Sequence, residues 1–145
     1  MMLIDANLLL YAYDESSEFH SPACSWLEQQ FAGKDLIALS WQSITAFARI
    51  STNPRAYISP FTIPEAVKIV SEWLDLETLV VLIPTNRHWQ IFRELLEQGQ
   101  AAGSLVMDAH LAALAIEHGA TLCTTDRDFS RFSGLRIYNP LSKSP

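Results

Sequence analysis

Cysteine is scarce in this chain of 145 residues. Cys24 and Cys123 stand far apart, with no CxxC or Cys/His spacing around either. A disulfide framework and a zinc site of ordinary spacing are therefore excluded as expectations. Cys123 lies in an apolar run and reads as a small buried hydrophobe, which fits a reducing cytoplasm. Long hydrophobic runs are absent too: nothing approaches the roughly 18 apolar residues of a membrane span. The opening MMLIDANLLLYAYDE has no basic n-region and no small-residue cleavage site, so no signal peptide and a cytoplasmic location are expected. Positive charge is short, with 10 Lys and Arg against 16 Asp and Glu and a net charge of −6. That argues against a general electrostatic grip on nucleic acid. It leaves room for an acidic site that holds divalent cations, with Arg49, Arg55, Arg127, Arg131 and Arg136 as local phosphate contacts. No P-loop, GxSxG elbow or Ser/His/Asp spacing is present. No repeat, low-complexity segment or linker divides the chain, so one domain over 1–145 is expected.

What is present suits a folded core: 49% of residues are hydrophobic and 18% charged. MLIDA reads as a short buried strand ending near Asp5, then a turn over Asp5–Asn7 and a helical turn. Ser21-Pro22 starts a helix that runs through Phe31 and stops at Gly33. Leu36–Leu39 is a strand, and Ser40 caps the helix that Asn53-Pro54 ends. Thr62 and Glu65 form a capping box for a helix presenting Val67, Val70, Trp73 and Leu74. Leu79–Ile83 is a strand stopped by Pro84. A helix follows from about Arg87 and ends before Gly103. The next helix carries Asp108 and an apolar stripe of Met107, Leu111, Leu114 and Ala115, with Gly119 at its C-terminal cap. Ala120–Thr124 and Leu135–Tyr138 complete the strands, and the tail after Pro140 is expected to fray. Strands alternating with helices predict an α/β fold with a mainly parallel sheet of four to five strands, flanked by helices.

Ligands of such sheets bind beyond the carboxyl ends of the strands. Asp5 and Asp126 both follow strands and emerge there, Asp128 comes two residues later, and Asp108 lies in the first turn of its helix, where the macrodipole favours an anion. Each acid alone has an ordinary explanation as a turn former, a dipole partner or the cap of a short helix in DFSRF. Together they form a cluster of like charges, which a hard cation with oxygen ligands would neutralise.

Four blocks carry a family resemblance: LIDANLLLYA, WQSITAFARISTNPR, VMDAHLAALAIEHGA and TLCTTDRDFSRFSGLR. With them the chain resembles PIN-domain ribonucleases, specifically the VapC-type toxins of toxin–antitoxin pairs. The resemblance implies a PIN-like three-layer fold and a metal-dependent endoribonuclease that hydrolyses phosphodiesters of cellular RNA, transfer or ribosomal. It also implies a homodimer and a cognate VapB-type antitoxin. By this likeness Asp5, Asp108 and Asp126 hold Mg2+, with Mn2+ as a substitute. Asp128 is an auxiliary catalytic acid, and Asn7, Ser43 and Arg49 are accessory candidates. One position departs from the family: Ala46 stands where a glutamate is often found, which favours one metal over two.

His20, His88, His110 and His118 have no metal-ligand spacing and read as structural or exposed. The four tryptophans, Trp26, Trp41, Trp73 and Trp89, read as core or interface anchors or as base-stacking rings. The apolar helices over Pro22–Phe31 and Pro64–Leu74 read either as core or as a groove for an antitoxin segment. Two other acid-clustering classes fit poorly. A receiver domain needs a second acid beside Asp5, and a haloacid-dehalogenase-type phosphatase needs DxDxT where this chain has DANLL. The competing function is a catalytically weak PIN-like module that binds a protein or RNA.

Overall fold

The structure, a computed structural model, describes residues 1–142; the end of the expected frayed tail, 143–145, lies outside the described residues. Among the described residues the chain forms five strands and six α-helices: β1 (Met2–Ile4), α1 (Ala6–Tyr13), α2 (His20–Ala32), β2 (Ile37–Ser40), α3 (Trp41–Ser51), α4 (Ile63–Leu74), β3 (Leu79–Leu82), α5 (His88–Gln98), α6 (Leu105–Glu117), β4 (Thr121–Cys123) and β5 (Ile137–Tyr138). A 3-10 turn over Arg127–Arg131 separates the last two strands.

The strands form one sheet in the order β3-β2-β1-β4-β5. Every pairing is parallel, from Leu3↔Ala38 and Leu3↔Leu122 in the middle to Ile37↔Leu79 and Cys123↔Tyr138 outside. All carboxyl ends thus share one edge. The chain winds from β1 outward to β3, then crosses to β4 on the other side of β1. That reversal places the topological switch point of the sheet at the carboxyl edge between β1 and its neighbours, the usual ligand position of such sheets.

The period-two alternation of strand side chains makes two cores. Leu3, Ala38 and Leu122 face α5 and α6 with Phe129 and Phe132, whereas Ile4, Ile37, Leu39 and Cys123 face α1, α2, α3 and Trp73 of α4. The result is three layers. Trp73 anchors the second core: its ring lies 4.7 Å from that of Phe47, and its Nε1 donates to the Tyr13 hydroxyl at 3.0 Å.

Several local expectations shift. No separate turn follows Asp5, because Asp5 itself caps α1 and the helix starts at Ala6. α2 begins at His20, ahead of Ser21-Pro22. Pro22 is tolerated there because the first-turn N–H groups have no intrahelical partner. In α4, Val67 and Leu74 are exposed, and Ala66 and Trp73 are the buried positions. Met107 is also exposed, so the buried face of α6 is Ala109 and Leu111–Ala115. Gly119 takes a φ of +67°, the left-handed conformation that ends α6 without a Cβ penalty.

Candidate functional site

Asp5 leaves β1 at the carboxyl edge and is held on both oxygens. Its Oδ1 accepts the Ala6 N–H at 2.7 Å and its Oδ2 accepts the Thr124 hydroxyl at 2.7 Å. Thr124 is the hub of the edge. It is buried, and its Oγ1 also accepts the Asp126 N–H at 3.1 Å and the Asn7 amide at 3.3 Å. The Asn7 amide donates at 2.9 Å to Thr125 as well. Asp126 then caps the 3-10 turn, its Oδ1 accepting the Asp128 N–H at 2.9 Å. A cap therefore orients each of Asp5 and Asp126. The ordinary reading of these acids as caps and the functional reading of them as a cluster are both satisfied.

Asp108 enters from the other side, in the first turn of α6. Its position is braced by α3: the Gln42 side-chain amide donates to the Met107 carbonyl at 3.1 Å. Ligand oxygens of Asp108, Asp126 and Asp128 lie within 4.8 Å of one another. Burial pushes the Asp108 carboxyl up to about 6, and the negative charges of Asp126, Asp5 and Asp128 push the same way, against a smaller opposite pull from Arg131. Asp5 is also raised, chiefly by burial and further by Asp126, although its hydrogen bonds from Thr124 and Ala6 oppose this.

The expected acids thus meet at one edge, with a difference of detail. Asp128 completes the tight trio with Asp108 and Asp126, and Asp5 stands beside it, within reach of the Asp126 charge. Asn7 serves the threonines and leaves its buried Oδ1 without a hydrogen-bond partner. Ser43 is buried and bound to Ser40, the cap of α3, which occupies its backbone N–H and its hydroxyl at 3.1 Å each. Arg49 lies exposed in the last turn of α3 and forms no ion pair among the described residues. Thr124, Thr125 and Gln42 escaped the reading of the sequence as site residues. The signal for the first two was the hydroxyl pair directly before Asp126.

A hard divalent cation fits this donor set. The trio offers carboxylate oxygens alone, and their mutual repulsion is what a cation relieves. The Oδ1 of Asn7 and Oε1 of Gln42 are buried without a hydrogen-bond partner, on residues bonded to the segments that carry Asp126 and Asp108.

Away from this edge, the last turn of α6 holds a different acid. Glu117 is buried, and its carboxylate accepts the Thr85 N–H at 2.8 Å and pairs with His88 Nδ1 at 2.6 Å. His88 Nε2 meets His110 Nδ1 at 2.9 Å, so two histidines distant in sequence join α5 to α6 in a structural chain.

Comparison with known proteins follows the same lines. The family model described as "PIN domain" matches residues 2–135. Ribonuclease VapC37 of Mycobacterium tuberculosis is 39% identical over 140 residues, which cover 97% of each chain. Among solved structures, VapBC2 from Rickettsia felis, bound to a DNA fragment from its promoter, superposes with a TM-score of 0.67 at 20% identity, covering 95% of this chain and 97% of that one. VapC20 of Mycobacterium tuberculosis, described as a Sarcin-Ricin loop cleaving toxin, gives a TM-score of 0.66 at 16% identity, covering 94% and 99%.

Proposed function

The chain belongs to the PIN-domain family, in its VapC branch, and from that premise we propose that it is the endoribonuclease toxin of a VapBC pair. Its Asp5, Asp108 and Asp126 hold Mg2+, with Mn2+ as a substitute, and Asp128 assists. The observation that carries this is the trio of Asp108, Asp126 and Asp128 within 4.8 Å at the carboxyl edge, with Asp5 beside it and Asp108 raised to about 6 by burial and then by its acidic neighbours. Held by these acids, a divalent cation would supply polarisation of a phosphodiester oxygen and a more acidic water for in-line attack.

The chain's own residues prepare that chemistry. Thr124 holds Asp5 and the backbone of Asp126 at once, so the two acids keep a set spacing across β1 and β4. Asn7 holds Thr124 and Thr125 in turn. Asp128 is exposed, and its proposed part is to orient a water at the cation. With Ala46 in place of a glutamate, and with Ser43 already bound to Ser40, α3 adds no acid. One cation suits this set better than two.

A VapB-type antitoxin is the proposed partner. A groove of about 860 Å3 opens beside α1 and is lined by Tyr13, Cys24, Phe47, Phe61 and Ile69, with Asp14 and Glu15 at its wall. It draws on α2 and α4, the helices read from sequence as a groove for such a segment. An apolar segment with basic residues would match it. The remaining elements of the proposal are a homodimer, a single domain as the active unit, and a cytoplasmic site of action on transfer or ribosomal RNA. Among the described residues no helix is long and apolar enough to cross a membrane.

The test is incubation of partner-free protein with total cellular RNA, with Mg2+ and with EDTA, beside Asp5→Ala. Discrete fragments that need both metal and Asp5 are expected. Absence of cleavage across RNA pools and with both metals would instead favour the binding module, which Ala46 motivates.

A further inference from the structure

The acidic edge poses a binding problem that charge does not solve. The chain carries −6, and four aspartates converge where a polyanion must dock. Arg131 is the cation that acts on Asp108, and its guanidinium is already bonded to the carbonyls of Asp128 and Gly99. A bound metal neutralises the phosphate being cleaved and little beyond it. Neighbouring nucleotides need a grip that does not depend on charge. Stacking of a base on an aromatic ring provides one, because every base has a π-face.

Trp41 stands where such a grip is needed. β2 pairs with β1 in the register Leu3↔Ala38, so two residues on Ser40 lies level with Asp5. Trp41 is the next residue and opens α3. Its neighbour Gln42 donates to the carbonyl of Met107, the residue before Asp108. Trp41 thus follows the strand paired with β1, and the side chain next to it reaches the first turn of α6, so it neighbours two of the three elements that carry the acids. Trp41 is 54% exposed, and no ring among the described residues pairs with its indole. The other tryptophans differ: Trp73 is buried against Phe47, Trp26 is partly buried in the core, and Trp89, though 63% exposed, meets Phe92 edge-on in α5. An indole left in water contributes little to folding, and covering it is favourable. Met107, also exposed, adds apolar surface on the α6 side.

We infer that Trp41 is a stacking platform for an unpaired base of the RNA, next to the phosphate that is cleaved. The inference rests on the ribonuclease reading for the identity of that RNA, and the test separates the two. Tryptophan fluorescence is titrated with single-stranded oligouridylate and oligoadenylate in EDTA, so no turnover is needed. Quenching is expected in the wild type and in Trp89→Phe, with the quenched component lost in Trp41→Phe. In cleavage assays Trp41→Ala should raise KM roughly 5- to 150-fold at unchanged kcat, and Trp41→Phe should restore most of it. Equal quenching in Trp41→Phe, or an unchanged KM in Trp41→Ala, overturns the platform and leaves the nuclease standing. A wild type that cleaves no RNA sinks the nuclease reading, while the EDTA titration still decides Trp41. Sedimentation gives the third arm: if Trp41→Ala turns a dimer into a monomer, the indole belongs to a second copy of the chain and the platform is overturned.

Discussion

Helix α6 carries one acid at each end, and the two have opposite company. Glu117, in the last turn, is buried, yet a backbone N–H and the His88 ring meet its oxygens. Asp108, in the first turn, is less buried but faces three other carboxylates. Burial alone therefore does not mark a functional acid. Glu117 has donors supplied by the fold and joins α5 to α6. Asp108 is raised chiefly by its own burial and then by the charges of Asp126, Asp5 and Asp128, with Arg131 pulling the other way. Burial together with neighbouring like charges makes Asp108 a candidate site residue.

Removing each acid should give opposite signatures. The largest effect expected is on catalysis. Asp108→Asn should lower RNA cleavage by ~100-fold or more, since loss of a direct ligand exceeds the 10- to 100-fold typical of an outer-shell partner. The same variant should melt no lower than wild type without metal. Near-normal cleavage by Asp108→Asn would remove Asp108 from the proposed metal site.

Glu117→Ala should do the reverse. It leaves the Thr85 N–H and His88 without their acceptor, a loss of about 2–4 kcal/mol in stability, readable by chemical denaturation. Its kcat should be preserved, and a collapse in kcat with normal stability would show that the two ends of α6 are coupled. Thr124→Val sharpens the comparison from the catalytic side. It keeps the shape of the hub and removes the hydroxyl that holds Asp5, so cleavage should fall about 10- to 100-fold, with part of the loss recovered at higher Mg2+.

The smallest effect expected is in pH dependence. The Asp108 carboxyl binds its proton more tightly in the folded chain, at about 6, than at its ordinary 3.8. Ionisation above pH 6 therefore weakens the metal-free fold, and the penalty is relieved as pH falls from about 7 towards 4. After allowance for solvent screening the penalty is on the order of 1–2 kcal/mol. Asp108→Asn should then raise the metal-free Tm more at pH 8 than at pH 5, and Mg2+ should close the gap. Metal affinity of the wild type should fall as pH drops through about 6, because protons compete for the same oxygens. A Tm gap that stays constant from pH 8 to pH 5 would contradict the raised value.

Much of this contrast was legible in advance, for physical reasons that differ by residue. Asp5 and Asp126 follow short apolar runs, and in an α/β chain a residue after a strand emerges at the carboxyl edge. Asp108 sits one turn into a strongly apolar segment, which places it at a helix start. The Thr62–Glu65 capping box was legible because both partners lie within one turn. His88 and His110, by contrast, are 22 residues apart and lack any local pattern. Their contact depends on how α5 and α6 cross. Trp73 was legible from its place on the apolar face of its helix, but the exposure of Trp41 was not, since a tryptophan at a helix start has no such spacing to place it.

The order of strands and helices, the acids after β1 and β4 and the acid at the start of α6 follow from residues within a few positions of one another. Period-two and helical spacing, caps and turn residues act at that range, so the sequence alone was enough for them. Which acids come within 4.8 Å, that Thr124 bridges Asp5 and Asp126, and that Glu117 is satisfied while Asp108 is not were decided only when the elements packed. The Thr124 bridge needs β4 to lie beside β1 across more than 100 residues of chain, and the Glu117 contacts need α5 to lie against α6. Such a pairing is chosen by the burial of two whole sheet faces, a property of all the elements at once and of no single stretch.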